Sequence, residues 1–254
     1  MSISNKEKVL HLLKSFETGD NAPVSYVNPQ KYIQHNVSAP DGLAGFLAMR
    51  SLFPPGAMKV KKVRLFEDRD HVFAHMEYEF FGPKIAFDVF RFENGLIVEH
   101  WDNLQETAGP NPSNHSMTDG PTESTDIDKT EANKQLVKRF VDEFFVKRNM
   151  ERLEEYIDEN AFTQHNPSVG DGISNLRKAA EYFSSQGFLV KFDKVHKILG
   201  EGNFVLVMSE GSVAEKHSSF YNLFRVDNGK IVEHWDTIET IPPRSEWKNQ
   251  HGKF

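Results

Sequence analysis

The residues best suited to chemistry in this 254-residue chain are histidines and aspartates set close to two Asn-Gly turns. In the first stretch Asp88 and Phe90 precede Glu93-Asn94-Gly95, and His100 and Asp102 follow it. In the second, Asn222 and Phe224 precede Asp227-Asn228-Gly229, and His234 and Asp236 follow it. A carboxylate held against an imidazole orients and polarises it, and in a dry pocket either group can titrate near neutral pH. The chemistry on offer is proton transfer, such as removal of an α-proton from an enolisable carbonyl compound. Asp88 and His100 are therefore the candidate catalytic pair. The bland alternative is that His100 only satisfies Asp88 across a hairpin, as ion-paired networks also do in structural settings.

Outside these stretches, Gln34-His35-Asn36 and Gln164-His165-Asn166 each carry a histidine that could stand at a pocket mouth. A histidine at a helix C-terminus, favoured by the dipole, is the competing reading for His35. Asp41-Gly42 and Asp171-Gly172 read as turns and helix caps rather than as catalytic groups. Two histidines plus a carboxylate also suit a non-haem iron site, but the spacing gives no local metal motif and no metal is expected.

The elements that position these residues are helices first and strands second. Ser4 with Glu7 is a capping-box pattern ahead of Val9, Leu10, Leu13 and Phe16, which share one helical face. Asp128 and Glu131 are expected to play the same parts before Leu136, Val137, Phe140, Val141, Phe144 and Phe145. Shorter helical patterns cover 150–160 and follow each Asp-Gly. Stretches rich in Val, Ile, Phe and Tyr at 58–66, 71–81, 84–92 and 96–105 predict strands. Read as three-residue hairpin loops, the Asn-Gly turns pair Phe90 with Val98, Asp88 with His100 and Ala86 with Asp102; the second hairpin pairs Phe224 with Val232, Asn222 with His234 and Phe220 with Asp236. Alternation then puts each polar set on one sheet face and Trp101 or Trp235 on the other.

The two hairpins belong to an internal repeat. Phe90-Arg91-Phe92-Glu93-Asn94-Gly95-Leu96-Ile97-Val98-Glu99-His100-Trp101-Asp102 recurs as Phe224-Arg225-Val226-Asp227-Asn228-Gly229-Lys230-Ile231-Val232-Glu233-His234-Trp235-Asp236, and Gln-His-Asn and Asp-Gly recur in the same order. Ordered matches of this length mean that the halves are homologous. The Gly, Pro, Asn, Ser and Thr of 109–125 have the composition of a disordered linker. The expected domains are 1–108, a linker over 109–127, and 128–254 with a C-terminal tail. The fold class is α+β. The apolar Trp-bearing faces lead us to expect the two sheets to pack on each other as an internal pseudo-dimer, compatible with a monomeric chain.

Together the Gln-His-Asn, the Asp-Gly, the Phe-Arg-x-x-Asn-Gly turn and the Glu-His-Trp-Asp strand resemble the SnoaL-like polyketide cyclases of the nuclear-transport-factor-2-like superfamily, over most of both halves. The resemblance implies a cone: a curved antiparallel sheet, covered by the N-terminal helices, with an apolar pocket at its open end. It implies acid/base ring closure with no metal and no cofactor. His35, His100 and Asp102 match motif positions in the first half, and His165, His234 and Asp236 match them in the second. Asp88 matches the family's frequent aspartate, and Asn222 departs from it.

Bulk properties narrow the partners. The formal net charge is −7 without a long basic run, which argues against nucleic acid. With no cysteine, disulfides, thiolate metal sites and cysteine nucleophiles are excluded. No apolar stretch resembles a signal peptide or a membrane span, so a cytoplasmic protein is expected. The expected function is a cofactor-independent cyclase or isomerase acting on a small apolar carbonyl compound. Asp88 and His100 would be the acid and base, with His35, Asp102, Phe90, His165, Asn222, His234 and Asp236 lining the pockets. A ligand carrier without turnover, or a pseudo-dimer whose cones are plugged by some of its 21 phenylalanines, are the alternatives.

Overall fold

The computed structural model describes residues 3–187 and 189–254 and divides into two compact units, Met1–Glu106 with Ile241–Phe254, and Thr107–Thr240. The first unit contains helices α1 (Asn5–Thr18) and α2 (Gly42–Ser51) and strands β1 (Ile33–Gln34), β2 (Lys59–Asp68), β3 (His71–Glu79), β4 (Pro83–Glu93) and β5 (Leu96–Glu106). The second contains α3 (Thr130–Val141), α4 (Gly172–Ser185), β6 (Thr163–Gln164), β7 (Val190–Glu201), β8 (Phe204–Val213), β9 (Lys216–Asp227) and β10 (Lys230–Thr240). Each unit is a five-stranded sheet with the same order, β1-β5-β4-β3-β2 and β6-β10-β9-β8-β7. The α+β class is as expected. The sheets are mixed rather than purely antiparallel, because β1 and β6 run parallel to β5 and β10.

Helix α1 begins with the expected capping box, in which the Ser4 hydroxyl accepts from the Glu7 N–H and the Glu7 carboxylate accepts from the Ser4 N–H. Its apolar stripe of Val9, Leu12 and Leu13 is buried against the sheet. Helix α3 departs from the expectation. A 3-10 turn over Ile127–Lys129 leads into it and its N-cap, Lys129, has no capping side chain. Val137, Phe140 and Val141 still form its buried stripe, and α3 runs on into a π turn at Asp142–Val146 that adds Phe144 to the core.

Both hairpins differ in register from the expected one. Asn94 and Gly95 have φ of 49° and 76°, so they form a two-residue type I′ loop closed by Glu93 and Leu96. An irregularity next to Arg91 and Phe92 leaves Val98 unpaired. The turn and the bulge each move the register by one residue, so the pairs become Phe90 with His100, Asp88 with Asp102 and Ala86 with Leu104. A displacement of two residues keeps every side chain on its face, and Asp88 and His100 become diagonal neighbours. The second hairpin repeats this, pairing Phe224 with His234 and Asn222 with Asp236.

The expected linker is ordered against the second unit. The Asn111 amide donates to the backbone carbonyls of Gln164 and Val169, and His115 meets Asp171 at 3.0 Å. The C-terminal segment packs on the first unit in the same way: Asn249 donates to the carbonyls of Asn36 and Ala39, and His251 meets Asp41 at 2.9 Å. The segment following each final strand is thus grouped with the other half's sheet, which corrects the expected boundaries at both places. Among the described residues no helix is long and apolar enough to cross a membrane.

Candidate functional site

In each unit the site is built on the short parallel strand and the last two antiparallel ones. Gln34 lies opposite His100, and Gln164 opposite His234. Because residues alternate along a strand, the glutamine of Gln-His-Asn points to the polar-set face and the histidine to the other. His35 accordingly stacks on Trp101 at 4.7 Å and is held by Glu99 Oε1 and the Gly252 carbonyl, both at 2.9 Å. His165 repeats this with Trp235, Glu233 and the Ser116 carbonyl. Neither histidine joins the polar set, so both fall outside the expected pocket lining. Burial alone would raise the Glu99 carboxyl, but hydrogen bonds from His35 and Arg91 hold it down at about 2.

The polar set of the first unit is buried and closed by its own side chains. His100 Nε2 lies 3.2 Å from Asp88 Oδ1, and Tyr78 donates its hydroxyl to Asp88 Oδ2 at 2.8 Å. Gln34 Oε1 accepts the Asn36 N–H at 2.9 Å, which fixes it as the oxygen; His100 Nδ1, 3.0 Å away, therefore carries a proton. The contact between Nε2 and Oδ1 then needs one shared proton, either on an imidazolium facing a carboxylate or on a carboxylic acid facing a neutral ring. Burial pushes the Asp88 carboxyl above the usual range, partly offset by the hydrogen bond to His100. Asp102 accepts from the Asn36 amide at 2.6 Å and meets the buried Lys253 ammonium at 3.3 Å. Ligand atoms of Asp88, His100 and Asp102 all lie within 4.8 Å of one another, so the three donors are close enough for a cation. Tyr78, Asn36 and Lys253 already occupy the carboxylate oxygens such an ion would need.

The second unit has the same frame with different contents. Gln164 Oε1 accepts the N–H groups of His165 and Asn166, and His234 Nδ1 donates to it at 2.9 Å. His234 Nε2 faces the Asn222 amide at 3.0 Å. Burial, with a smaller push from His165, lowers the His234 imidazole to about 3, so the ring is neutral and Nε2 is an acceptor. With Asn222 Oδ1 facing it, two acceptors would meet and Nδ2 would be buried without a partner. Turning the amide lets Nδ2 donate to the Nε2 acceptor. Asp236 accepts both of its hydrogen bonds from the Asn166 amide and has no cationic partner among the described residues. Burial raises its carboxyl to about 6, with Asn166 only partly opposing.

Gln164 and His234 line a cavity of about 340 Å³. Its buried wall is aromatic, with Phe140, Phe144, Phe162 and Phe224; Arg148, Ala180, Ser184 and Leu189 form the exposed rim. Sequence reasoning missed the glutamines, Tyr78 and Lys253. The glutamines stood in the quoted Gln-His-Asn motif, and strand alternation was the signal that separates them from the histidines.

Residues 137–234 match the family model of the SnoaL-like domain. This SnoaL-like segment carries the cavity wall from Phe140 onward, Gln164, Asn222 and His234. Solved structures similar to parts of the chain include an NTF2-like protein from Mesorhizobium loti, 20% identical, covering 47% of this chain and 97% of that one, with a TM-score of 0.37. Others are a candidate polyketide cyclase from Acidithiobacillus ferrooxidans (15% identity, 42% and 87% covered, TM-score 0.35) and an LEH-like epoxide hydrolase from M. tuberculosis (20%, 44% and 85%, 0.34). A comparison with curated proteins gave no match.

Proposed function

We propose that the protein binds a small apolar molecule in the cavity of its second unit, on a scaffold of the cofactor-independent cyclase and isomerase type. The observation that carries this reading is the aromatic cavity of about 340 Å³ ending on the neutral His234 and Gln164. Its volume falls at the lower end of ordinary ligand pockets, about 300–1,000 Å³, and its few convergent polar groups are the usual means of orienting a ligand. A second reading is supported by the single proton shared between Asp88 and His100. That pair has the composition of a general acid/base and would act on a carbonyl compound admitted to the first unit.

Both readings are tested by titrating the full chain with a panel of aromatic and polyketide-like carbonyl compounds, scoring binding and product in the same samples. Leu176→Trp, which fills the cavity from α4, is expected to weaken binding at least about tenfold, by steric exclusion from a close-packed site. Asp88→Asn should leave that binding intact. Product lost in Asp88→Asn supports the acid/base reading. Binding that Leu176→Trp leaves unchanged would rule out the second-unit cavity.

A further inference from the structure

The two units differ at one position beside the glutamine in a way that selects the ligand's chemistry. In the first unit Gln34 Nε2 points at the Tyr32 hydroxyl at 3.5 Å, the long end of hydrogen-bond range. The residue in the same place of the second unit, two before Gln164, is Phe162, which lines the cavity and offers no acceptor. Gln164 is only 2% exposed and its oxygen is committed to His234 and two backbone N–H groups. Its Nε2 amide has no acceptor among the described residues, and the side chain faces the cavity. A donor that opens on an otherwise apolar pocket with no side chain there to accept from it favours a ligand that supplies an acceptor.

We infer that the cavity is specific for neutral molecules bearing a carbonyl or equivalent acceptor oxygen, which docks on Gln164 Nε2 while the apolar remainder lies among Phe140, Phe144 and Phe162. This rests on the proposed second-unit pocket and adds the identity of the recognised group. Among the described residues the pocket interior holds no cation to receive a carboxylate. His234 stays uncharged, and Arg148, which donates to the Val190 carbonyl, stands at the exposed rim.

The test uses matched probes that differ only in the oxygen: 2-acetylnaphthalene against 2-isopropenylnaphthalene, and acetophenone against α-methylstyrene, each titrated into the full chain by calorimetry. The ketone is expected to bind about five- to tenfold more tightly than its hydrocarbon partner, the worth of one neutral hydrogen bond to an otherwise unpaired donor. Phe162→Tyr installs the first unit's acceptor next to Gln164 and is expected to bring that ratio close to one, whatever it does to absolute affinity. Equal binding of ketone and hydrocarbon to the wild type, or a ratio unchanged in Phe162→Tyr, would overturn the inference while leaving the pocket intact. Failure of all four probes to bind would instead sink the pocket reading on which it rests.

Discussion

The polar ends of the two units share a frame and differ in nearly every group attached to it. Where the first has Tyr32, Tyr78, Asp88 and Lys253, the second has Phe162, Gly211, Asn222 and Met117. The correspondence follows from the pairing. Tyr78 and Gly211 each lie four residues beyond the residue that pairs with Asp88 or Asn222, Ala74 in one unit and Val207 in the other. Lys253 and Met117 each follow the residue whose carbonyl accepts from His35 or His165. Each change removes a charge or a hydroxyl. In the first unit the Tyr78 hydroxyl and the Lys253 ammonium satisfy the carboxylates from within and the Tyr32 hydroxyl accepts from Gln34, so the network is complete as it stands. In the second they are gone, His234 is neutral, and the donor capacity left over faces a cavity. Duplication has left one copy with its carboxylates paired from within and the other with a neutral His234 and a donor able to pair with something else.

The largest effect should come from breaking the charged network. Asp88→Ala strands His100 and Tyr78 in a buried site and is expected to cost about 3–5 kcal/mol, the usual consequence of removing one partner of a buried ionic pair. Asn222→Ala removes only a neutral amide and should cost about 1–2 kcal/mol. Urea denaturation of the full chain, with hydrogen exchange in β4 and β9 to locate the loss, measures both. Equal costs would mean that the two networks are energetically alike and that the comparison fails.

A smaller contrast concerns why the tyrosine is missing from the second unit. A Cβ on Gly211 would lie 1.9 Å from the Lys191 carbonyl oxygen, beside the irregularity in β7 at Phe192 and Lys194. The bulged strand approaches too closely for any side chain there. Gly211→Ala is expected to cost about 2–3 kcal/mol through overpacking, whereas Tyr78→Phe should cost about 1–2 kcal/mol by leaving Asp88 Oδ2 unpaired. Thermal or urea unfolding of the two variants would show the order. A neutral Gly211→Ala would mean the bulge yields easily and that the strand path is not what keeps the site open.

Much of this was legible in the residues, and the misses have physical causes. The repeat located both sheets, and the strand period kept Asp88, Phe90, His100 and Asp102 on one face although the turn type and a bulge moved the pairing by two residues. His35 and His165 do not stand at a pocket mouth because a strand sends the middle residue of Gln-His-Asn to the face opposite its glutamine. Tyr78 and Lys253 were out of reach for different reasons. Tyr78 acquires its role only through its reach across β4 to Asp88, and Lys253 arrives from a segment more than a hundred residues away in sequence. The resemblance implies a pocket in each half, but the size of the cavity in the second was not legible, since volume depends on how the phenylalanines of α3 and β7 pack.

The smallest effect is also the one whose sign separates the two buried groups of the second unit. His234 is held at about 3, below its ordinary value of 6.5, so the unfolded chain binds its proton first. Its contribution to stability is complete above pH 6.5 and is lost as pH falls toward 3. Asp236 is raised from 3.8 to about 6, so the folded chain binds its proton first, and its contribution is complete below pH 3.8 and lost as pH rises through 6. Between pH 6 and 5 the two slopes oppose each other, each approaching about 1.4 kcal/mol per pH unit. Removing one group should expose the other. Relative to wild type, Asp236→Asn should lose stability on acidification across this window and His234→Gln should gain it, as read from urea midpoints at pH 6 and pH 5. Slopes of the same sign in both variants would show that burial does not shift the two groups as stated, and His234 could then no longer be treated as a neutral wall of a site for uncharged ligands.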